Sequence, residues 1–106
     1  MKLNEFQFAC GRTWGKGGPD PLQNAVLGLT GEAGEVANEV KKNRYQGHRL
    51  DDKKIIEELG DVLFYVSVAA MEIGVSLEEV AATNINKLKD RYPDGFDPIR
   101  SQKRDE

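Results

Sequence analysis

The chain has 106 residues, 39% of them hydrophobic and 31% charged, which suits one globular domain and excludes a disordered or membrane-embedded protein. A net charge of −3 argues against a nucleic-acid binder that works by broad phosphate neutralisation, though not against a small ligand held by a metal and a few local cations. At this length folding buries somewhat over ~60% of the chain's surface, so a core is possible but thin, and oligomerisation is a natural way to thicken it. A single cysteine, Cys10, rules out an intrachain disulfide framework and fits a reducing cytoplasm. The longest apolar run, from Val62 to Met71, contains Ser67 and is too short to span a bilayer. No basic, apolar leader opens the sequence, so no export signal and no membrane partner are expected.

Four helices are predicted, in an all-α antiparallel bundle. The first runs from about Leu3 to Trp14 and ends in a Gly-Lys-Gly-Gly-Pro loop. The second opens at Asp20-Pro21, an N-cap acid followed by proline at the first helical position, and continues to about Tyr45. The third starts near Asp51 or Asp52 and reaches Ile73, with Gly74 as the residue that stops it. Ser76-Leu77-Glu78-Glu79 forms a capping box for the fourth, which ends before Pro93. Short connections imply antiparallel neighbours. The domain thus covers residues 1–96, and residues 97–106 read as a polar, mobile tail.

At 3.6 residues per turn, Ala25, Val26, Leu29, Ala33, Val36, Ala37 and Val40 share one arc of the second helix, with Glu32, Glu35 and Glu39 on its flank. In the third helix Ile55, Ile56, Leu59, Val62, Leu63, Val66, Ala70 and Ile73 form the main arc, flanked by Glu58, Asp61 and Tyr65. Residues three apart project from the same side one turn on, so Glu32/Glu35 and Glu58/Asp61 can each converge. Four converging carboxylates repel unless a divalent cation neutralises them, and all-oxygen ligands suit Mg²⁺ or Mn²⁺. His48 and Cys10 alone cannot make a zinc site. An acid-x-x-acid step also marks an ordinary solvated face, and the pattern leaves both readings open. Gly31, Gly34 and Gly60, each costing about 1 kcal/mol against alanine in a helix, suggest close helix approach or ligand clearance.

Asn84, Lys87 and Arg91 follow one edge of the fourth helix, beside its Leu77, Val80, Ala81, Ile85 and Leu88 stripe. They can hold phosphate oxygens, or simply snorkel and pair with acids. The glycines at Gly15, Gly17 and Gly18 lack the Lys-Ser/Thr ending of a P-loop and read as a turn. Among the aromatics, Phe8, Trp14 and Tyr65 are candidates for a base-stacking wall, with core packing the favoured reading for Phe8.

Three segments carry a resemblance: Gly31-Glu32-Ala33-Gly34-Glu35-Val36, Glu57-Glu58-Leu59-Gly60-Asp61-Val62-Leu63, and Asn84-Ile85-Asn86-Lys87-Leu88-Lys89-Asp90-Arg91-Tyr92-Pro93. In that order and spacing, over about Asn4 to Phe96, the chain resembles the MazG-like all-α nucleoside triphosphate pyrophosphohydrolases, in their compact single-domain branch. The resemblance implies Mg²⁺-dependent cleavage of an NTP or dNTP to the monophosphate and pyrophosphate, in nucleotide-pool housecleaning. It implies Glu32, Glu35, Glu58 and Asp61 as metal ligands, and Lys87 and Arg91 as phosphate contacts. It also implies a homodimer or homotetramer with sites completed near subunit contacts. Turnover is then expected to depend on Glu58 and on Glu35, the best-placed carboxylate to accept the water's proton. The competing class is a helical nucleotide-sensing or interaction module that keeps the metal site without turnover. Finally, Phe64 and Val68 make the third helix apolar on a second side, and that side is expected in the subunit interface, the alternative being that the first helix or the C-terminal tail folds over it.

Overall fold

The computed structural model describes residues 1–104, which form five helices and no strand. These are α1 (Leu3–Trp14), α2 (Pro21–Tyr45), α3 (Asp52–Glu72), α4 (Leu77–Arg91) and α5 (Pro98–Arg104). Helices α2, α3 and α4 start where the side-chain chemistry places their caps. Asp20 Oδ1 accepts from the backbone N–H of Gln23 at 3.1 Å, Asp51 Oδ1 from Lys53 at 3.1 Å, and Ser76 Oγ from Glu79 at 3.0 Å. Each such cap is worth about 1 kcal/mol. Helix α3 stops at Gly74, whose φ of +77° is left-handed and whose N–H bonds back to the Met71 carbonyl at 3.0 Å. Among the described residues, no single helix is long and apolar enough to cross a membrane.

Helices α2 and α3 pack along one another, with Gly28 under the ring of Tyr65. A Cβ at Gly28 would collide with that ring. The expectation that Gly31, Gly34 and Gly60 mark close contacts is corrected: a Cβ at any of the three would meet open space. Close approach depends on what stands opposite, and a large ring stands opposite Gly28 alone among these positions.

Helix α1 lies over α3 and builds the core. Cys10, Ala25 and Val68 are buried together, with Phe6, Trp14, Phe64, Tyr65 and Ala69 packed around them. The rings of Trp14, Phe64 and Tyr65 meet edge-on, with centroids 5.1–6.3 Å apart. This overturns the assignment of Phe64 and Val68 to a subunit interface: Val68 is 0% exposed and Phe64 is half-buried beneath α1. The arc expected to be the core of α3 is only partly covered: Ala70 is buried and Ile55, Val62 and Val66 are half-buried, but Ile56 is 68%, Leu59 51% and Leu63 40% exposed. Two apolar faces existed on α3, and α1 covers the one bearing the larger aromatic partner. Phe8, expected in the core, projects from the outer side of α1 and is 83% exposed.

The connection to α4 also departs from expectation. Four residues separate α3 and α4, yet the two axes are bent by 101° rather than antiparallel. The bend is held by α1. Gln7 is buried; its Nε2 donates to the carbonyls of Ser67 and Val75, each at 3.1 Å, and its Oε1 accepts from Leu77 N–H at 3.0 Å. Asn4 Oδ1 accepts from Glu78 N–H at 3.0 Å. With Ser76 on Glu79, the first three N–H groups of α4 all have side-chain acceptors, two of them supplied by α1.

The tail is more ordered than its composition implies. Asp97 Oδ1 accepts from Ile99 N–H at 2.9 Å to start α5, and Arg100 Nε donates to the Arg91 carbonyl at 2.8 Å. Positions 105 and 106 of that tail lie outside the described residues. The Cα radius of gyration is 16.8 Å, against about 13 Å for a close-packed chain of this length. The excess fits an α4 turned away from the α2–α3 pair, with most of its second half exposed.

Candidate functional site

The flanks of α2 and α3 meet in a ladder of charges. Glu32 on α2 stands by Glu58 and Asp61 on α3, while Glu39, two turns further along α2, stands within Coulombic reach of Lys54 at the start of α3. Rising numbers on one helix face falling numbers on the other, so the pair is antiparallel. Carboxylate oxygens of Glu32, Glu58 and Asp61 all lie within 4.8 Å of one another. Glu58 is the most enclosed, at 7% exposure, with Glu32 half-buried and Asp61 exposed. Crowding shows in the titration: burial first, then the charges of Asp61 and Glu58, push the Glu32 carboxyl above the usual carboxylate range.

Glu35 is not in this triad. It lies on the same flank one turn on, exposed, and its charge adds to the repulsion at Glu32. The quartet expected from spacing is therefore a close trio with a fourth carboxylate beside it. Lys54, which the wheel analysis passed over, places Nζ 3.3 Å from Glu58 Oε1. Its signal in the sequence was the four-residue step from Lys54 to Glu58 on one helix face. Lys42 holds Glu39 in the same way, at 3.7 Å.

The remaining candidates fall elsewhere. Trp14 and Tyr65, the candidates for a stacking wall, pack around Val68 and are half-buried, and Trp14 Nε1 donates to Glu72 Oε1 at 3.0 Å. Asn84 and Lys87 are exposed on α4. Arg91 is half-buried and lines a cleft of about 300 Å³ with Arg100, Lys103 and Arg104. A larger groove, of about 600 Å³, runs between α1 and the α3–α4 joint, lined by Asn4, Gln7, Phe8, Gly11, Arg12, Met71 and Ser76.

The acidic trio thus lies on two packed helices, in an all-α chain with a basic edge on α4. Residues 21–96 match the family described as the MazG nucleotide pyrophosphohydrolase domain. The chain belongs to that family. Helices α2, α3 and α4, with Glu32, Glu35, Glu39, Glu58 and Asp61, fall inside the match. The chain is similar to the Gene 37 protein of Mycobacterium phage L5, 36% identical over 107 residues, which covers 90% of this chain and 92% of that protein. It is also similar to two proteins of Bacillus subtilis (strain 168) that carry the name uncharacterized protein. YvdC is 36% identical over 73 residues, 60% of this chain and 69% of YvdC. YpjD is 39% identical over 71 residues, 62% of each chain. No solved structure matches the chain.

Proposed function

We propose that this MazG-domain protein is a divalent-metal-dependent nucleoside triphosphate pyrophosphohydrolase. It would cleave an NTP or dNTP between the α and β phosphates, releasing the monophosphate and pyrophosphate, and so clear nucleotides from the pool. The observation that supports this reading is the convergence of Glu32, Glu58 and Asp61 within a MazG domain. Three carboxylates that repel one another offer an all-oxygen donor set, which fits a hard ion such as Mg²⁺ or Mn²⁺, held by those three residues. When bound, such an ion neutralises charge on phosphoryl oxygens and lowers the pKa of a water.

The chain's own groups supply the rest. Glu35, outside the trio but beside it, would take the proton from the attacking water. Asn84, Lys87 and Arg91 would hold the departing pyrophosphate, with Arg91 as a fork and Lys87 as a point charge. These three stand on the arm that bends away from α3, so a second copy is the natural source of the phosphate contacts for a given trio. The exposed Ile56, Leu59 and Leu63 offer the apolar surface for such a homodimer or homotetramer, and α4 carries its own exposed Ile85 and Leu88.

The test is a panel of NTPs and dNTPs incubated with the purified protein and Mg²⁺ in heavy-oxygen water. Pyrophosphate release with the label in the monophosphate is the expected result. A nucleoside diphosphate with orthophosphate, or no turnover of any triphosphate, would refute the assignment and favour a non-catalytic module.

A further inference from the structure

Lys54 has no place in the chemistry above, yet it contacts the most enclosed carboxylate of the trio. Its Nζ lies 3.3 Å from Glu58 Oε1, and the Glu58 side chain is only 9% exposed while that of Lys54 is 47% exposed. The two partners therefore differ in freedom. Glu58 is fixed among Glu32, Asp61 and the helix wall, whereas the lysine reaches in from solvent on a flexible stem. A second acid faces Lys54 across the helix pair: the antiparallel register that sets Gly28 against Tyr65 and Glu32 against Asp61 sets Glu39 on α2 opposite Lys54. Glu39 has one other cation, Lys42, at the longer distance of 3.7 Å.

From this arrangement we propose that Lys54 is a tethered competitor for the divalent cation at Glu58, exchanging from Glu58 to Glu39 when the ion binds. The proposal rests on the metal reading of the trio and adds to it a residue that sets metal affinity. An ammonium and a divalent ion on one carboxylate repel each other directly, so an ion coordinated through Glu58 Oε1 displaces Lys54 from it. Glu39 gives the displaced ammonium a seat one helix away, which keeps the exchange shallow and reversible. The consequence is a metal affinity held below what the three carboxylates alone would give. The site would then respond to the level of free divalent cation rather than stay saturated.

The sign of the effect separates this role from a structural one. If Lys54 merely braced Glu58, its removal would loosen the ligand and weaken metal binding. As a competitor, its removal strengthens binding. Mn²⁺ binding to the full chain without nucleotide, read from the free-ion electron paramagnetic resonance signal, measures this directly. Lys54→Met is expected to bind Mn²⁺ about threefold more tightly or better, the scale of a partly exposed ion pair. Lys54→Arg should restore the wild-type affinity, and Lys53→Met, which removes the same charge one residue away, should leave it unchanged. Unchanged or weaker binding by Lys54→Met would overturn the proposal. Equal tightening by Lys53→Met and Lys54→Met would overturn it too, since the effect would then belong to net charge. If the wild type binds no Mn²⁺ while remaining helical by circular dichroism, the metal reading itself fails, and the competition falls with it.

Discussion

Replacing Gln7 by leucine tests how the bend between α3 and α4 is held. The substitution keeps a side chain of similar size at a position that is 8% exposed but removes three hydrogen bonds. The three losses are unequal. Ser67 lies inside α3, so its carbonyl keeps its helical partner and loses only a second bond. The Val75 carbonyl, in the connection, and the Leu77 N–H, at the first turn of α4, lose side-chain partners that no helix replaces. Each buried group left unpaired costs about 1–3 kcal/mol, so the expected destabilisation is about 3 kcal/mol. That is a large part of the about 5–15 kcal/mol that holds a small domain folded. Urea denaturation at fixed protomer concentration reads it, since mass action would shift the midpoint of an oligomer otherwise. Gln7→Glu keeps an acceptor for Leu77 but loses both donor bonds, and should fall no better than Gln7→Leu because it also brings a charge into a buried position. A loss below about 1 kcal/mol for Gln7→Leu would show that the bend does not depend on this side chain.

Three further outcomes are expected. Glu58→Gln preserves shape but removes the most enclosed charge of the trio, and should lower Mg²⁺-dependent turnover by more than about 100-fold with the helical fold intact; retention of most activity would refute the metal assignment. Leu59→Glu should give a folded 11.8 kDa monomer in light scattering if Leu59 lies in the proposed homo-oligomer contact, whereas Phe64→Glu should unfold the chain, because only Phe64 packs against the core. The third concerns pH. Burial and the charges of Asp61 and Glu58 raise the Glu32 pKa above its unfolded value, so this residue's contribution to stability is present below that value, near ~4.3, and is lost as pH rises through the folded one. The melting temperature of the wild type without divalent ions, minus that of Glu32→Gln, should therefore fall across this window; a flat or rising difference would contradict the crowding.

The helices were legible in the sequence because their signals are local. Asp20-Pro21, Asp51, Ser76 and Gly74 act on backbone groups within a few residues, and each starts or stops a helix where its chemistry demands. The acid-x-x-acid steps were legible for the same reason, since residues three apart on one helix share a side whatever the rest of the chain does. Periodicity also showed that α3 has two apolar faces, but not which of them α1 would cover. That choice depends on a contact between residues some 50 positions apart, where Trp14 meets Phe64 and Tyr65 and leaves Leu59 and Leu63 open. The right-angle turn into α4 was likewise invisible, because it is made by Gln7 and Asn4 reaching across about 70 residues to an N-terminus. The separation of Glu35 from the trio has the same origin. Spacing along a helix places a carboxylate on a flank, but the relative shift and depth of two packed helices determine which oxygens come within 4.8 Å.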